Sequence, residues 1–323
     1  MVKLLIGGSP CTHWSIAQTK NRETEASGIG WELFLNYRIS RDKYQPDYFL
    51  YENNKSMSPT IRAQITAELG VEPVLINSAL VSAQNRQRFY WVGKREPDGT
   101  YSRVPVEQPE DRGILLRDIL EIGIAWQEKS YCITATEYKG SNAEQTLTKH
   151  RRTMVAEPIR IGPAPESVEW PDGKTYSVYQ VCDGLITIKS KQYPINLPDG
   201  FYIIRKLTVT ECKRLQTVPD TYAFPVSDTQ AYKMLGNGWT VDVIAHIMRH
   251  FAGLTEEPVE VLSMYDGMSC GHIALDNLGV NVTAYYATEI DKYAIQTTLH
   301  NYPETVQLGD AFQVRKEDWK VEQ

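Results

Sequence analysis

The sequence predicts an α/β fold: a largely parallel sheet with helices on both faces, joined to a smaller, mostly β lobe. Three observations predict it. Short apolar runs alternate with helical stretches over residues 1–94. Closely spaced turn signals replace that texture over residues 95–204. The alternation returns over residues 205–323, where successive apolar runs end in carboxylates.

In chain order, residues 3–6 read as a strand that runs into Gly7-Gly8-Ser9-Pro10-Cys11, and residues 48–51 as a strand leading to Glu52-Asn53-Asn54. Residues 57–69 read as a helix, with Ser58 as N-cap and Pro59 in the first turn. Residues 73–76 and 88–92 complete the first group of strands. In the middle segment, Pro97-Asp98-Gly99, Pro171-Asp172-Gly173 and Pro198-Asp199-Gly200 mark turns between strands expected at 131–136, 176–181, 185–188 and 202–204. A helix follows at 208–215, then a longer helical region at 228–251 interrupted by Gly236-Asn237-Gly238. The last part reads strand 259–264, glycine turn 266–271, helix 272–278, strand 282–288 reaching Glu289, helix 293–300, and strand 306–308 reaching Gly309-Asp310. Ligands of such half-sheets sit beyond the carboxyl ends of the strands, where this turn and these carboxylates collect.

Composition excludes several classes. At 42% hydrophobic and 23% charged, the 323-residue chain is neither disordered nor fibrous. No apolar run approaches the roughly 18 residues of a membrane span, and the opening run is too short for a signal peptide. Five cysteines without CxxC spacing argue against a disulfide framework and against a zinc site, so no metal is expected and a cytoplasmic setting is. The net charge of −6 hides an asymmetry: residues 256–323 carry 12 acidic against 4 basic side chains, whereas residues 129–214 carry 13 basic against 9 acidic. The most basic stretch gathers Lys139, Lys149, His150, Arg151 and Arg152, suited to phosphate contacts.

The chemistry collects at strand ends. Cys11 lies on a turn just past a strand, close to a helix start, where backbone N–H groups favour a thiolate. Glu52 ends the neighbouring strand, and Gln84-Asn85-Arg86-Gln87-Arg88 offers two arginines on one face of an extended segment. A nucleophile, an acid and paired arginines at successive strand ends suit an anionic, electrophilic heterocycle.

In this order the residues resemble the DNA cytosine-5 methyltransferases. Pro10-Cys11 is similar to that family's nucleophile loop, Glu52-Asn53 to its Glu-Asn-Val signature with Asn54 in place of valine, and Gln84, Arg86 and Arg88 to its Gln-x-Arg-x-Arg segment. Arg205-Lys206-Leu207-Thr208 and Gly236-Asn237-Gly238 resemble its later Arg-x-Leu-Thr and Gly-Asn segments, and residues 264–271 its cofactor turn. The resemblance implies a Rossmann-like methyltransferase sheet that uses S-adenosylmethionine, with residues 1–94 catalytic, 95–204 a target-recognition domain, and 205–323 the remainder including the cofactor half.

It also implies roles. Cys11 attacks carbon 6 of a flipped cytosine, Glu52 protonates ring nitrogen 3, Arg88 meets the exocyclic oxygen, and Arg86 meets phosphate or orients the nucleophile loop. Tyr265, Asp266, Gly267, Glu289, Ile290, Asp310, Ala311 and Phe312 would bind the cofactor, with Asn237 and Trp239 closing its pocket. Pro10, Ser15, Asn53, Gln84, Lys149, Arg151 and Arg152 would face the DNA. The expected partner is double-stranded DNA, bound by a monomer in a bacterial or phage-infected cell. An RNA cytosine-5 methyltransferase and a catalytically silent DNA-binding member are the alternatives; the size of the middle segment favours duplex DNA, and retention of Cys11 and Glu52 argues against silence.

One departure is large. The family's usual order starts with the cofactor turn, which here comes last. The sequence reads as a circular permutation cut between Asp310 and Pro10, with residues 3–8 expected beside the strand ending at Leu308 and 253–258 as the joining linker.

Overall fold

The computed structural model describes residues 1–16, 22–149, 152–159, 166–171 and 173–321. The main sheet takes β1 (Val2–Gly7), β2 (Tyr48–Asn54), β3 (Val74–Asn77), β4 (Gln87–Arg95) and β5 (Tyr101–Arg103) from the first part of the chain. The second lobe contributes β6 (Met154–Pro158), β7 (Ser167–Glu169), β8 (Thr175–Ser177), β9 (Tyr179–Cys182), β10 (Leu185–Ile188), β11 (Lys191–Pro194) and β12 (Gly200–Lys206). The main sheet is completed by β13 (Val259–Met264), β14 (Val282–Thr288) and β15 (Val306–Gly309). Helices are α1 (Gly28–Tyr44), α2 (Pro59–Leu69), α3 (Leu116–Ile119), α4 (Ala143–Lys149), α5 (Val209–Leu215), α6 (Asp228–Asn237), α7 (Val241–Met248), α8 (Cys270–Asn277) and α9 (Lys292–Asn301). None of the described helices is long and apolar enough to cross a membrane.

The main sheet runs β15-β14-β13-β1-β2-β4-β3, with β5 paired to β4. It is buried on both faces, and side-chain alternation sorts its residues between two cores. Leu4 and Ile6 of β1 enter one core with apolar residues of α5, α6, α7 and α8. Leu5 enters the other with Phe34 and Tyr37 of α1 and Ile61 and Ile65 of α2. This is the α/β architecture the strand–helix alternation predicts. Ser58 caps α2 as expected, its hydroxyl accepting from the Ile61 N–H at 3.2 Å.

Several expectations are corrected. The sheet is mixed rather than largely parallel: β4 is antiparallel to both β2 and β3. Residues 78–86 joining β3 to β4 hold only a short 3-10 turn, too little chain for a parallel crossover. β1 does not lie beside β15; it pairs in parallel with β13 on one side and β2 on the other. No strand forms at 131–136, because side chains take its backbone groups: Tyr131 N–H donates to Thr153 Oγ1 at 2.9 Å, Ile133 N–H to Gln84 Oε1 at 3.3 Å and Thr134 N–H to Glu137 Oε2 at 3.3 Å. The strand expected at 176–181 is broken at Val178 into β8 and β9.

The second lobe also starts later than residue 95. β5 extends the main sheet, and Val104, Val106, Leu116 and Ile119 pack in its first core. The lobe proper is the antiparallel sheet β11-β10-β9-β12-β6, closed over Met154, Ala156, Val181, Ile186, Tyr202 and Ile204. It is tied back by Arg205 on β12, which pairs with Glu157 on β6 and, at 2.8 Å, with Glu211 on α5. Glu211 completes a capping box with Thr208, so one carboxylate opens α5 and fixes the lobe beside it.

Arg205→Met should therefore strand two buried carboxylates. The expected cost is about 3–5 kcal/mol, read as a lowered urea midpoint; a midpoint equal to that of the wild type would show that the trio does not hold the lobes.

Candidate active site

β1, flanked by β13 and β2, brings three strand ends together: Gly7 pairs with Met264 on one side and Tyr51 on the other. Past Gly7 the chain crosses directly over Glu52. A Cβ at Gly8 would stand 2.7 Å from the Glu52 carbonyl oxygen and 3.0 Å from its Oε2, so only glycine lets this loop lie so close. The next residue is tethered from β2: Ser9 Oγ lies 2.7 Å from Tyr51 Oη, and Asn53 Nδ2 donates to the Ser9 carbonyl at 3.2 Å. Exposed Pro10 follows, then a 3-10 turn over Cys11–His13. The Cys11 side chain lies outside the described residues. Glu23 steadies the far end of the loop, accepting from Trp14 Nε1 at 3.1 Å and from the Gly30 N–H at 3.2 Å.

Glu52 and Arg88 form an ion pair, Nε to Oε1 2.9 Å, with side chains only 12% and 15% exposed. The other carboxylate oxygen accepts from Trp239 Nε1 at 3.0 Å. Beside them lies Cys132, whose Sγ accepts from Arg86 Nη1 at 3.2 Å. Burial pushes its thiol up, but the adjoining Arg86 and Arg88 guanidinium groups outweigh that and leave it below the ordinary value.

At the other strand ends, Tyr265 adopts a left-handed backbone (φ 61°), and its hydroxyl donates to the Leu33 carbonyl at 2.7 Å. The Asp266 carboxylate accepts from Tyr285 Oη at 2.8 Å and from Ser269 Oγ. Burial nonetheless pushes it up to about 6. Glu289 Oε2 accepts from the Gly267 N–H at 2.9 Å, and Oε1 from the N–H groups of Ile290 and Asp291 at 2.7 and 2.8 Å. Asp310 Oδ1 accepts from the Phe312 N–H at 2.9 Å, with Ala311 buried between them.

The description "C-5 cytosine-specific DNA methylase" matches residues 1–252, most of the chain. The chain belongs to this family. It is thus an enzyme of the cytosine-C5 DNA methyltransferase class. The Type II methyltransferase M.HpaII of Haemophilus parainfluenzae is 28% identical over 262 residues, covering 75% of this chain and 69% of the relative. M.FnuDI of Fusobacterium nucleatum, also a Type II methyltransferase, is 25% identical over 262 residues, covering 74% and 73%. Among solved structures, the Entamoeba histolytica methyltransferase EhMeth aligns over 76% of each chain at 13% identity, with a TM-score of 0.46.

Within this methylase, several of the expected site residues are buried and bonded to neighbouring segments. Asn53 is 1% exposed and spends its amide on Ser9 and Tyr51. Gln84 is fully buried; its Nε2 donates to the Leu215 carbonyl at 2.7 Å and to Gln216 Oε1 at 2.8 Å. Arg86, expected at phosphate or behind the nucleophile loop, is held by backbone carbonyls of two other segments. Its guanidinium is buried on Ile133 O, Gly236 O and Gly238 O, at 3.2, 3.3 and 2.7 Å. All three polar side chains satisfy backbone groups that the loops cannot satisfy themselves.

The remaining expected residues are dispersed. Trp239 turns to Glu52, while Asn237 is exposed at the end of α6. Ser15 is half-buried beside fully buried Trp14. Lys149 is exposed at the end of α4, whereas Arg152 bonds to the Gly140 carbonyl and, at 2.9 Å, to Thr136 Oγ1. His150 and Arg151 lie outside the described residues. Sequence reasoning passed over Glu23 and Cys132, since neither stands in a motif.

Gly8→Ala should press the loop off Glu52 and lower methyl transfer about 100-fold with little change in melting temperature; an unchanged rate would show that this approach does not matter. Asp266 provides a pH test. Because its folded pKa of about 6 exceeds its ordinary 3.8, the stability it contributes is complete below pH 3.8 and is lost as pH rises to about 6. Asp266→Asn should remove that part of the slope in denaturant midpoints measured across this interval.

Proposed function

We propose that this methylase transfers a methyl group from S-adenosylmethionine to carbon 5 of cytosine in a specific sequence of double-stranded DNA, through a covalent adduct of Cys11 with a flipped base. The observation that carries this reading is the passage of the Gly8-Ser9-Pro10 loop over a carboxylate already held by a guanidinium. Carbon 5 of cytosine is not nucleophilic until a nucleophile saturates the 5,6 double bond. In the proposed sequence the Cys11 thiolate adds to carbon 6, Glu52 gives a proton to ring nitrogen 3, and carbon 5 becomes an enamine carbon. Once carbon 5 carries the methyl group, leaving S-adenosylhomocysteine behind, water takes the carbon 5 proton and the thiolate is expelled. Ring nitrogen 3 returns its proton to Glu52 and the 5,6 double bond is restored. Arg88 keeps Glu52 in place and stands near the exocyclic oxygen. A duplex conceals carbon 6 in its stack, which is why flipping belongs to the proposal.

The turn after β13 fits a nucleoside cofactor. Gly267 has φ +61° with nothing within 4 Å of where a Cβ would stand, leaving the turn open. Glu289 and Asp310 end adjacent parallel strands, as ribose and adenine binding require. Ile290, 74% exposed beside Glu289, offers an apolar cover for a flat base. Bound there, S-adenosylmethionine supplies an activated methyl group.

The second lobe would read the DNA sequence, with Lys149 and the basic stretch around it on phosphates, and the enzyme would act as a cytoplasmic monomer. Its Type II relatives support a restriction–modification setting. The order of motifs supports a circular permutation: the family match ends at residue 252, while β13 to β15 complete the same sheet.

Bisulfite sequencing of a plasmid carrying the gene, in a host without cytosine methylation, tests the reading. Protected cytosines should appear in one sequence context and vanish with Cys11→Ser. Protection that persists in that variant would remove Cys11 from the chemistry.

A further inference from the structure

Two donors hold the Glu52 carboxylate, and they come from distant parts of the chain. Arg88 Nε takes Oε1 at 2.9 Å and Trp239 Nε1 takes Oε2 at 3.0 Å. The backbone on either side of Trp239 is immobilised. The Gly238 carbonyl accepts from Arg86 Nη2 at 2.7 Å and from Gln216 Nε2 at 3.0 Å. On the other side, Thr240 Oγ1 donates to Gln216 Oε1 at 2.9 Å and accepts from Ser78 Oγ at 2.8 Å. Arg86, Gln216, Ser78 and Thr240 are all buried, so the indole hangs from a rigid anchor rather than from a loop free to drift.

We infer that Trp239 is a positioning residue for Glu52: its indole N–H, aimed by the Arg86–Gln216 anchor, fixes the plane of the carboxylate that must meet the base. This inference rests on the proposed role of Glu52 as the group that protonates ring nitrogen 3. A single ion pair through Oε1 leaves the carboxylate free to rotate about its Cγ–Cδ bond, and a second donor on Oε2 stops that rotation. The indole donates one hydrogen bond and carries no charge, so it orients Glu52 without competing with Arg88 as a counter-ion. Its effect should fall on the rate of transfer rather than on binding, because a misaimed proton donor is felt only as the base reacts. Were Trp239 a wall of the cofactor pocket instead, its loss would raise the KM for S-adenosylmethionine.

The test compares Trp239→Phe, Trp239→His and Glu52→Gln in steady-state methyl transfer to duplex DNA carrying the enzyme's site. Trp239→Phe keeps a ring and loses the N–H; kcat should fall about 10-fold or more, with the KM values for DNA and S-adenosylmethionine within about twofold of wild type. Trp239→His, which restores a ring N–H, should recover part of kcat. In Glu52→Gln, which retains Trp239, one of the seven indole N–H proton resonances should move, a readout that survives even if the Phe variant does not fold. An unchanged kcat in Trp239→Phe, a loss confined to the KM for S-adenosylmethionine, or an indole spectrum unaffected by Glu52→Gln would overturn the inference. Full activity in Glu52→Gln would sink the underlying role of Glu52, an outcome separate from the indole signal.

Discussion

The pairing of β1 with β13 and β2 at once is the constraint on which the rest of the molecule depends. Six consecutive register pairs join β1 to β13 and four join it to β2. Remove β1 and the two halves of the sheet lose their common edge: the cofactor turn after Met264 would no longer stand beside Glu52. Because the strands are parallel, their carboxyl ends point the same way, and every loop that carries chemistry emerges on one side. The requirement is met by an apolar strand whose successive side chains feed both cores, so β1 is held by burial as well as by hydrogen bonds.

Around that seam, buried polar side chains act as fasteners. Arg86 joins the start of β4 to the loop at Ile133 and to the turn at Gly236 and Gly238. Gln84 and Gln216 interlock beneath it, and Arg205 joins the second lobe to α5. Each places a charge or amide where unmatched groups are costly, and each is matched by carbonyls or carboxylates. The reactive surface is thereby built from loops that are individually irregular and collectively fixed. The same economy gives conspicuous motif residues such as Asn53, Gln84 and Arg86 backbone carbonyls as partners.

Much of the fold was legible because its signals are local. The apolar runs of β13 and β14 and the Ser58-Pro59 start of α2 sit where the sequence puts them. What was not legible depends on partners far along the chain. The backbone at 131–136 is claimed by Thr153, Gln84 and Glu137, which alternation within the segment cannot reveal. The reversed direction of β4 follows from the length of a connection, and the seat of β1 beside β13 from the packing of the whole sheet. In the site, the pairing of Glu52 with Arg88 could be anticipated from opposite charges at strand ends. The indole contact from Trp239 could not, since 187 residues separate it from Glu52.

The seam between β1 and β13 also sets a schedule. Val2 meets Val259 and Gly7 meets Met264, so the central pair of the sheet closes only after residue 264 has been synthesised. Until then β1 has one edge unpaired, a slow, non-local closure of the kind that exposes nascent chains to aggregation. A truncated translation product that already contains the Pro10-Cys11 loop, Glu52 and the whole second lobe would still lack the strand that braces them. Such a fragment holds Glu52 and the Pro10-Cys11 loop without the strand that seats the cofactor turn beside them, which ties competence to translation past residue 264.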